Sequence, residues 1–115
     1  MSVRDVDVVV IGAGIVGCTI AFELAAAGHR VRVLDARPPA GGASQASAGV
    51  LAPYVEGHES QPLRTLGRRS LGLYASFVER VRSVAGASVA FRPLGTVEVA
   101  ATAADAARLA RSKAT

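Results

Sequence analysis

The sequence predicts an α/β fold that opens with a strand, a helix and a second strand of a doubly wound parallel sheet. Three observations predict it. Val8-Val9-Val10-Ile11 is an unbroken β-branched run, it passes straight into Gly12-Ala13-Gly14-Ile15-Val16-Gly17, and Asp35 closes a second apolar run 23 positions after Gly12. An apolar strand leading into G-x-G-x-x-G with an acid about 20 residues on is the pattern of a Rossmann-like dinucleotide site.

Each element follows from its residues. A continuous apolar run suits a strand covered by helices on both faces, so Val8–Ile11 is expected at the centre of the sheet. Gly12 permits a tight turn, Gly14 lets backbone approach a pyrophosphate, and Gly17 allows close packing of the following helix on the sheet. That helix is expected from about Ile15 to Ala27, with Cys18, Ala21, Phe22 and Ala25 toward the sheet and Glu23 toward water. Its unpaired first-turn amides offer hydrogen bonds to phosphate oxygens at the favourable end of the helix dipole, which places Ala13, Ile15 and Val16 beside the three glycines in the site. Gly28 suits the left-handed residue that ends a helix. Val31–Asp35 then reads as the second parallel strand. Asp35 at its carboxyl edge can accept both hydroxyls of an adenosine ribose and disfavours a 2′-phosphate, with Ala36 and Arg37 following along the adenosine. This pattern does not by itself separate FAD from NAD.

The next segment departs from an ordinary nicotinamide domain, in which another amphipathic helix soon follows. Residues 36–54 carry Pro38-Pro39, Gly41-Gly42 and a series of small residues. Such a segment lets backbone lie against a flat ligand, with Ser44, Gln45 and Ser47 as short hydrogen-bonding groups.

On V-V-V-I-G-A-G-I-V-G at 8–17, E-L-A-A-A-G-H-R-V at 23–31, Asp35, and above all G-G-A-S-Q-A-S-A-G-V-L-A-P-Y at 41–54, the chain resembles the FAD-dependent amino acid oxidases of the D-amino acid oxidase family, and most the glycine oxidase branch. The resemblance implies FAD as cofactor, and roles beside it for Ala43, Ser44, Gln45, Ala48, Gly49 and Leu51, largely through backbone groups. Tyr54, close to that loop in sequence, is a substrate-pocket candidate. The implied reaction oxidises the CH–NH group of glycine or another small amino acid to an imine, then to a 2-oxo acid and ammonia, with oxygen reduced to hydrogen peroxide. Glycine, with a role in thiamine precursor synthesis, follows from the branch alone. A D-amino acid or sarcosine, a dehydrogenase using another electron acceptor, and an inactive nucleotide-binding module are the alternatives.

Beyond this loop, Gln61 to Val84 is expected to be helical, with Leu66, Leu73, Phe77, Val81 and Val84 as its inward stripe and Gly67 and Gly72 marking a bend or a close crossing. Val89–Arg92 and Thr96–Ala100, around Pro93-Leu94-Gly95, read as two strands, which the resemblance identifies with entry into an antiparallel substrate domain. Thr102 with Asp105 three residues on is expected to cap a last helix. The expected organisation is residues 1–58 as the amino-terminal part of an FAD-binding domain, 59–86 as a connecting helical region and 87–115 as the beginning of a substrate domain. At 115 residues the chain is expected to be the amino-terminal piece of a larger protein, with the substrate-holding arginine outside it, inactive alone and left open to homo-oligomerisation when full-length.

Composition narrows the function classes. The formal charge of +4 comes mostly from arginines spread over residues 64–111, without the compact footprint or the aromatics of a nucleic-acid surface. Cys18 is the single cysteine, so no internal disulfide forms; a small packed side chain in a reducing compartment is expected. The apolar run from Val8 to Ala27 contains Glu23 and three glycines and has no basic cluster before it, so a cytoplasmic nucleotide fold explains it better than a leader or a membrane span. Around His29 and His58 there is no nucleophile–base set, and neither a catalytic residue nor a metal site is assigned.

Overall fold

The structure is a computed structural model that describes residues 5–55 and 60–113. His58 lies outside the described residues. The chain divides into two compact units, Met1–Val50 and Leu51–Thr115.

The first unit is a β-α-β crossover. Strand β1 (Val8–Ile11) is followed by helix α1 (Ile15–Ala26) and strand β2 (Val31–Leu34), and the strands pair in parallel with Val8 opposite Val31 and Ile11 opposite Leu34. Both ends of the pair are fastened. At the amino end, Asp7 N–H and Val8 N–H both donate to the Arg30 carbonyl, while the Asp7 carboxylate accepts from Arg30 N–H, Nε and Nη2. At the carboxyl end Gly12 N–H donates to the Leu34 carbonyl at 2.7 Å.

A Cβ on Gly17 would lie 3.3 Å from Val10 Cγ1, so α1 covers the Val10 side of the sheet. On the opposite side Val9 is exposed and Ile11 is 88% exposed. This corrects the expectation of a strand covered on both faces: among the described residues of this unit a single helical layer packs on a two-stranded sheet. The helix also differs in detail from its expected face. Ala21 and Phe22 are half-buried, whereas Cys18 and Ala25 are exposed. Two strands present too narrow a floor for the full apolar width of α1.

After β2 the chain turns through Pro38 to Gly41 and forms α2 (Ala43–Ala46), a single helical turn that the sequence reading did not include. The Ser47 hydroxyl accepts from Gly49 N–H at 3.1 Å, and Gly49 takes φ +71°.

The second unit is built on α3 (Gln61–Ala85), which starts after Ser60 with Pro62 in its first turn and ends on Gly86 at φ +60°. Gly67 marks a close approach: a Cβ there would lie 2.9 Å from Pro53 Cβ, while Gly72 faces open space. The inward stripe is rotated from the one read off the sequence. Val78 is the buried residue at 3% exposure, with Leu71, Tyr74, Phe77 and Val81 half-buried beside it; Phe77 and Val81 of the expected stripe thus face inward, whereas Leu66, Leu73 and Val84 are exposed. Tyr74 explains the rotation, because its ring meets Phe91 at 5.4 Å between centroids and draws residues 89–91 onto that side. Arg82 holds the same segment through Nε and Nη2, both donating to the Val89 carbonyl.

Neither Val89–Arg92 nor Thr96–Ala100 forms a strand. The turn between them exists, with Leu94 N–H donating to the Arg92 carbonyl at 2.9 Å and Gly95 at φ +77°. A two-stranded hairpin without further strands or a packed face is marginal in water, which accounts for a turn without a ladder. Helix α4 (Ala103–Lys113) carries the expected cap: Asp105 N–H donates to Thr102 Oγ1, and Asp105 Oδ2 accepts from the Thr102 N–H and hydroxyl.

Candidate cofactor site

The carboxyl ends of β1 and β2 and the amino end of α1 converge on Gly12–Gly17, and backbone sterics set the shape of this loop. Gly12 adopts φ +108°, a conformation that side chains resist. A Cβ on Gly17 would stand 1.9 Å from the Gly12 carbonyl oxygen, closer than any two such atoms can approach. Ala13 is buried between these two glycines in sequence.

Two amides of the loop point at side chains from beyond β2. Ala13 N–H donates to Asp35 Oδ2 at 2.7 Å, and Ile15 N–H, in the first turn of α1, donates to Ser44 Oγ at 2.8 Å. Asp35 Oδ1 accepts from Arg37 N–H at 2.8 Å. The hydrogen bond from Ala13, then that from Arg37, holds the Asp35 carboxyl below its ordinary value, so it is ionised throughout the neutral range. Asp35 is exposed and accepts from the Ala13 and Arg37 amides, with the Ala36 amide a weaker third donor, which still leaves acceptor capacity for a hydroxyl donor. No acidic residue lies in the first turn of α1, so the helix dipole there is unopposed from within the helix.

The loop after β2 is pinned back onto the glycines. Ala40 N–H donates to the Ala13 carbonyl at 2.8 Å, and the Ala40 carbonyl accepts from Gly42 N–H and Gln45 N–H. Ala40 does this at φ +62° and is the only non-glycine among the described residues with positive φ. Sequence reasoning missed it, although Pro-Pro-Ala-Gly-Gly is a strong turn signal. Arg37 folds over Gly42: its Nη2 would lie 2.9 Å from a Cβ there, so the glycine leaves room for the guanidinium. Cys18 also departs from its expected inert packing. It is exposed, and its thiol donates to the Ala13 carbonyl at 3.5 Å.

Apart from Val16, which is exposed in the first turn of α1, the residues read from the sequence separate into three groups. Ala13, Ile15, Asp35, Arg37 and Ser44 are joined by hydrogen bonds around Gly12, Gly14 and Gly17. Ala36, Ala43, Gln45, Ala48 and Gly49 lie along the same stretch of the first unit, exposed. Leu51 and Tyr54 belong to the second unit, where the Arg68 guanidinium sits 5.4 Å from the Tyr54 ring centroid. Among the described residues no group of three or more His, Cys, Asp or Glu is placed to hold a metal ion, and no helix is long and apolar enough to cross a membrane.

The observations fit a dinucleotide: bare glycine backbone, helix amides, and an ionised acid at the end of the second strand. Comparison with known proteins gives the same direction. The sequence model of the family described as FAD dependent oxidoreductase (DAO) matches residues 7–115. Glycine oxidase of Geobacillus kaustophilus is 34% identical over 105 residues, which cover 91% of this chain and 28% of that protein. The bifunctional protein ThiO/ThiG of Trichormus variabilis is 36% identical over 89 residues, 77% of this chain and 14% of the relative. The tRNA 5-methylaminomethyl-2-thiouridine biosynthesis bifunctional protein MnmC of a Polaromonas species is 41% identical over 91 residues, 78% and 14% respectively. The chain thus spans about a quarter or less of the length of these relatives. No solved structure matches it at a significant level. With a family match running almost from end to end over a glycine loop of this geometry, the chain belongs to the DAO family of FAD-dependent oxidoreductases, whose members bind FAD.

Proposed function

We propose that this chain supplies the adenosine and diphosphate end of the FAD site in an enzyme that oxidises the CH–NH bond of a small amino acid, glycine first among the candidates. The observation that carries the reading is the return of the 36–46 segment onto the glycine loop, through Ala40 N–H to the Ala13 carbonyl and Ser44 Oγ on Ile15 N–H. It is supported by the identity to glycine oxidase.

In this reading Gly12, Ala13, Gly14, Ile15, Val16 and Gly17 border the diphosphate, and the α1 dipole offsets its charge. Asp35 accepts from the ribose hydroxyls with its remaining lone pairs, and Ala36 and Arg37 border the adenine. Ala43, Ser44, Gln45, Ala48, Gly49 and Leu51 line the path toward the redox ring, with Tyr54 as a pocket residue. FAD, when bound, supplies the two-electron oxidation of the amine to an imine, which water hydrolyses to a 2-oxo acid and ammonia while oxygen is taken to hydrogen peroxide. Asp35 keeps a fixed negative charge where a 2′-phosphate would have to lie, which selects against that cofactor class. The accompanying organisation gives residues 1–58 to the FAD-binding domain, 59–86 to a connecting helix and 87–115 to the start of a substrate domain, in a cytoplasmic protein.

The test is the full-length polypeptide purified with its chromophore and assayed for oxygen uptake and peroxide with glycine, sarcosine, D-alanine and D-proline. Yellow protein releasing FAD, with peroxide formed from one of these amines, is expected; bound nicotinamide or no dinucleotide would overturn the reading. Turnover only with an artificial electron acceptor would make it a dehydrogenase.

A further inference from the structure

Two of the donors that border the diphosphate in the reading above, the Ala13 and Ile15 amides, are already engaged. Ile15 N–H already makes a 2.8 Å hydrogen bond to Ser44 Oγ, and Gly14 beside it is so close that a Cβ would lie 3.1 Å from the same oxygen. One N–H has one hydrogen and makes one strong bond, so a phosphate oxygen reaches Ile15 only as the serine oxygen leaves. Ala13 N–H is held by Asp35 Oδ2, an ionised acceptor on the end of β2. The two holds differ in kind. The Asp35 bond is charge-assisted and rooted in the sheet, whereas Ser44 offers a neutral hydroxyl from a single helical turn.

We propose that Ser44 is an affinity-setting latch on α1: its hydroxyl caps the Ile15 amide and must be exchanged for a diphosphate oxygen when the cofactor binds, while Asp35 keeps the Ala13 amide throughout. The latch rests on the flavin reading for the identity of its natural ligand, and its mechanics follow from the hydrogen bonds alone. The oxygen to be exchanged is carried on α2. Gly42 N–H and Gln45 N–H both donate to the Ala40 carbonyl, and Ala40 N–H donates to Ala13, so Ser44 moves on a turn anchored at Ala40 rather than with α1. Ala40 holds that anchor at φ +62°.

The experiment uses full-length protein freed of flavin, with inorganic pyrophosphate and FAD titrated separately. Ser44→Ala removes the competing acceptor: it lowers the unfolding midpoint without ligand and binds pyrophosphate about fivefold tighter, the size of a lost helix-capping bond. Ser44→Thr keeps the oxygen and restores wild-type affinity. In the wild-type protein, pyrophosphate shifts the Ile15 amide resonance and leaves that of Ala13 in place, a readout that needs no variant to fold. A merely structural serine would lower stability without tightening binding. Weaker pyrophosphate binding by Ser44→Ala, or an unmoved Ile15 resonance at saturation, would overturn the latch. If pyrophosphate behaves as stated but wild-type protein fails to bind FAD, the latch stands and the flavin reading falls; if FAD binds and Ser44→Ala binds it more weakly, the reverse holds.

Discussion

At the scale of single residues, three glycines of the first unit are constrained in different ways. Gly17 is fixed by contact, since its Cβ would overlap the Gly12 carbonyl at 1.9 Å, whereas Gly12 and Gly28 have open space and are fixed by φ of +108° and +91°. Gly17→Ala is therefore expected to destabilise by about 3 kcal/mol or more, the upper end of overpacking costs, and Gly28→Ala by about 1–2 kcal/mol, the cost of a left-handed side chain. Urea unfolding of the two variants checks the order, and equal midpoints would refute the steric argument. Ala40 is the converse case. Its φ of +62° makes Ala40→Gly a stabilising change of about 1 kcal/mol or less, measurable as a raised unfolding midpoint. The sequence exposed the glycines because only their residue type can occupy such places; Ala40 was hidden because alanine carries no such mark.

At the scale of elements, two clasps decide where strands and helices end. The Asp7 carboxylate receives three donors from Arg30, which lowers its pKa from 3.8 to about 2 and raises that of the guanidinium. Because the folded value lies below the unfolded one, this contribution is complete above about pH 4 and is lost as pH falls toward 2. Asp7→Asn should flatten the acid limb of the stability curve in that window and leave stability at neutral pH only slightly reduced, since both side chains reach solvent. An unchanged acid limb would show that the clasp is not formed in solution. In α4, Thr102 and Asp105 satisfy two donors at the first turn, so Thr102→Ala is expected to cost about 1 kcal/mol and to accelerate amide exchange over residues 103–106. The cap was legible because its two residue types stand at a fixed spacing. The Asp7–Arg30 clasp was not, because its partners are 23 positions apart and meet only when the strands pair in register.

At the scale of the whole molecule, much apolar surface lies outside either core. In the first unit Val9, Ile11 and Leu34 stand exposed, and in the second Leu66, Leu73, Val84, Val97 and Val99 do so. Parallel sheets are almost always covered on both faces, so the open side of β1 and β2 is suited to a further layer. The 115-residue chain purified by itself is expected to self-associate with concentration and to bind a hydrophobic dye, and monodisperse behaviour by light scattering with no dye binding would contradict this.

What the sequence determined by itself was local: the β-α-β crossover, the need for glycine at positions 12, 17 and 28, the acid at the end of β2 and the cap of α4. These are settled within a few bonds of the residues concerned, where a missing Cβ or a short side chain suffices. Only the tertiary structure decided which side of α3 is buried, that residues 89–92 and 96–100 lie without strand partners, and that Asp35 and Ser44 take the amides of the glycine loop. Periodicity allows any rotation of a broadly apolar helix, and a strand exists only beside another. Side chains from beyond β2 reach Ala13 and Ile15 because the parallel register brings Leu34 level with Ile11, a relation written in no single segment of the chain.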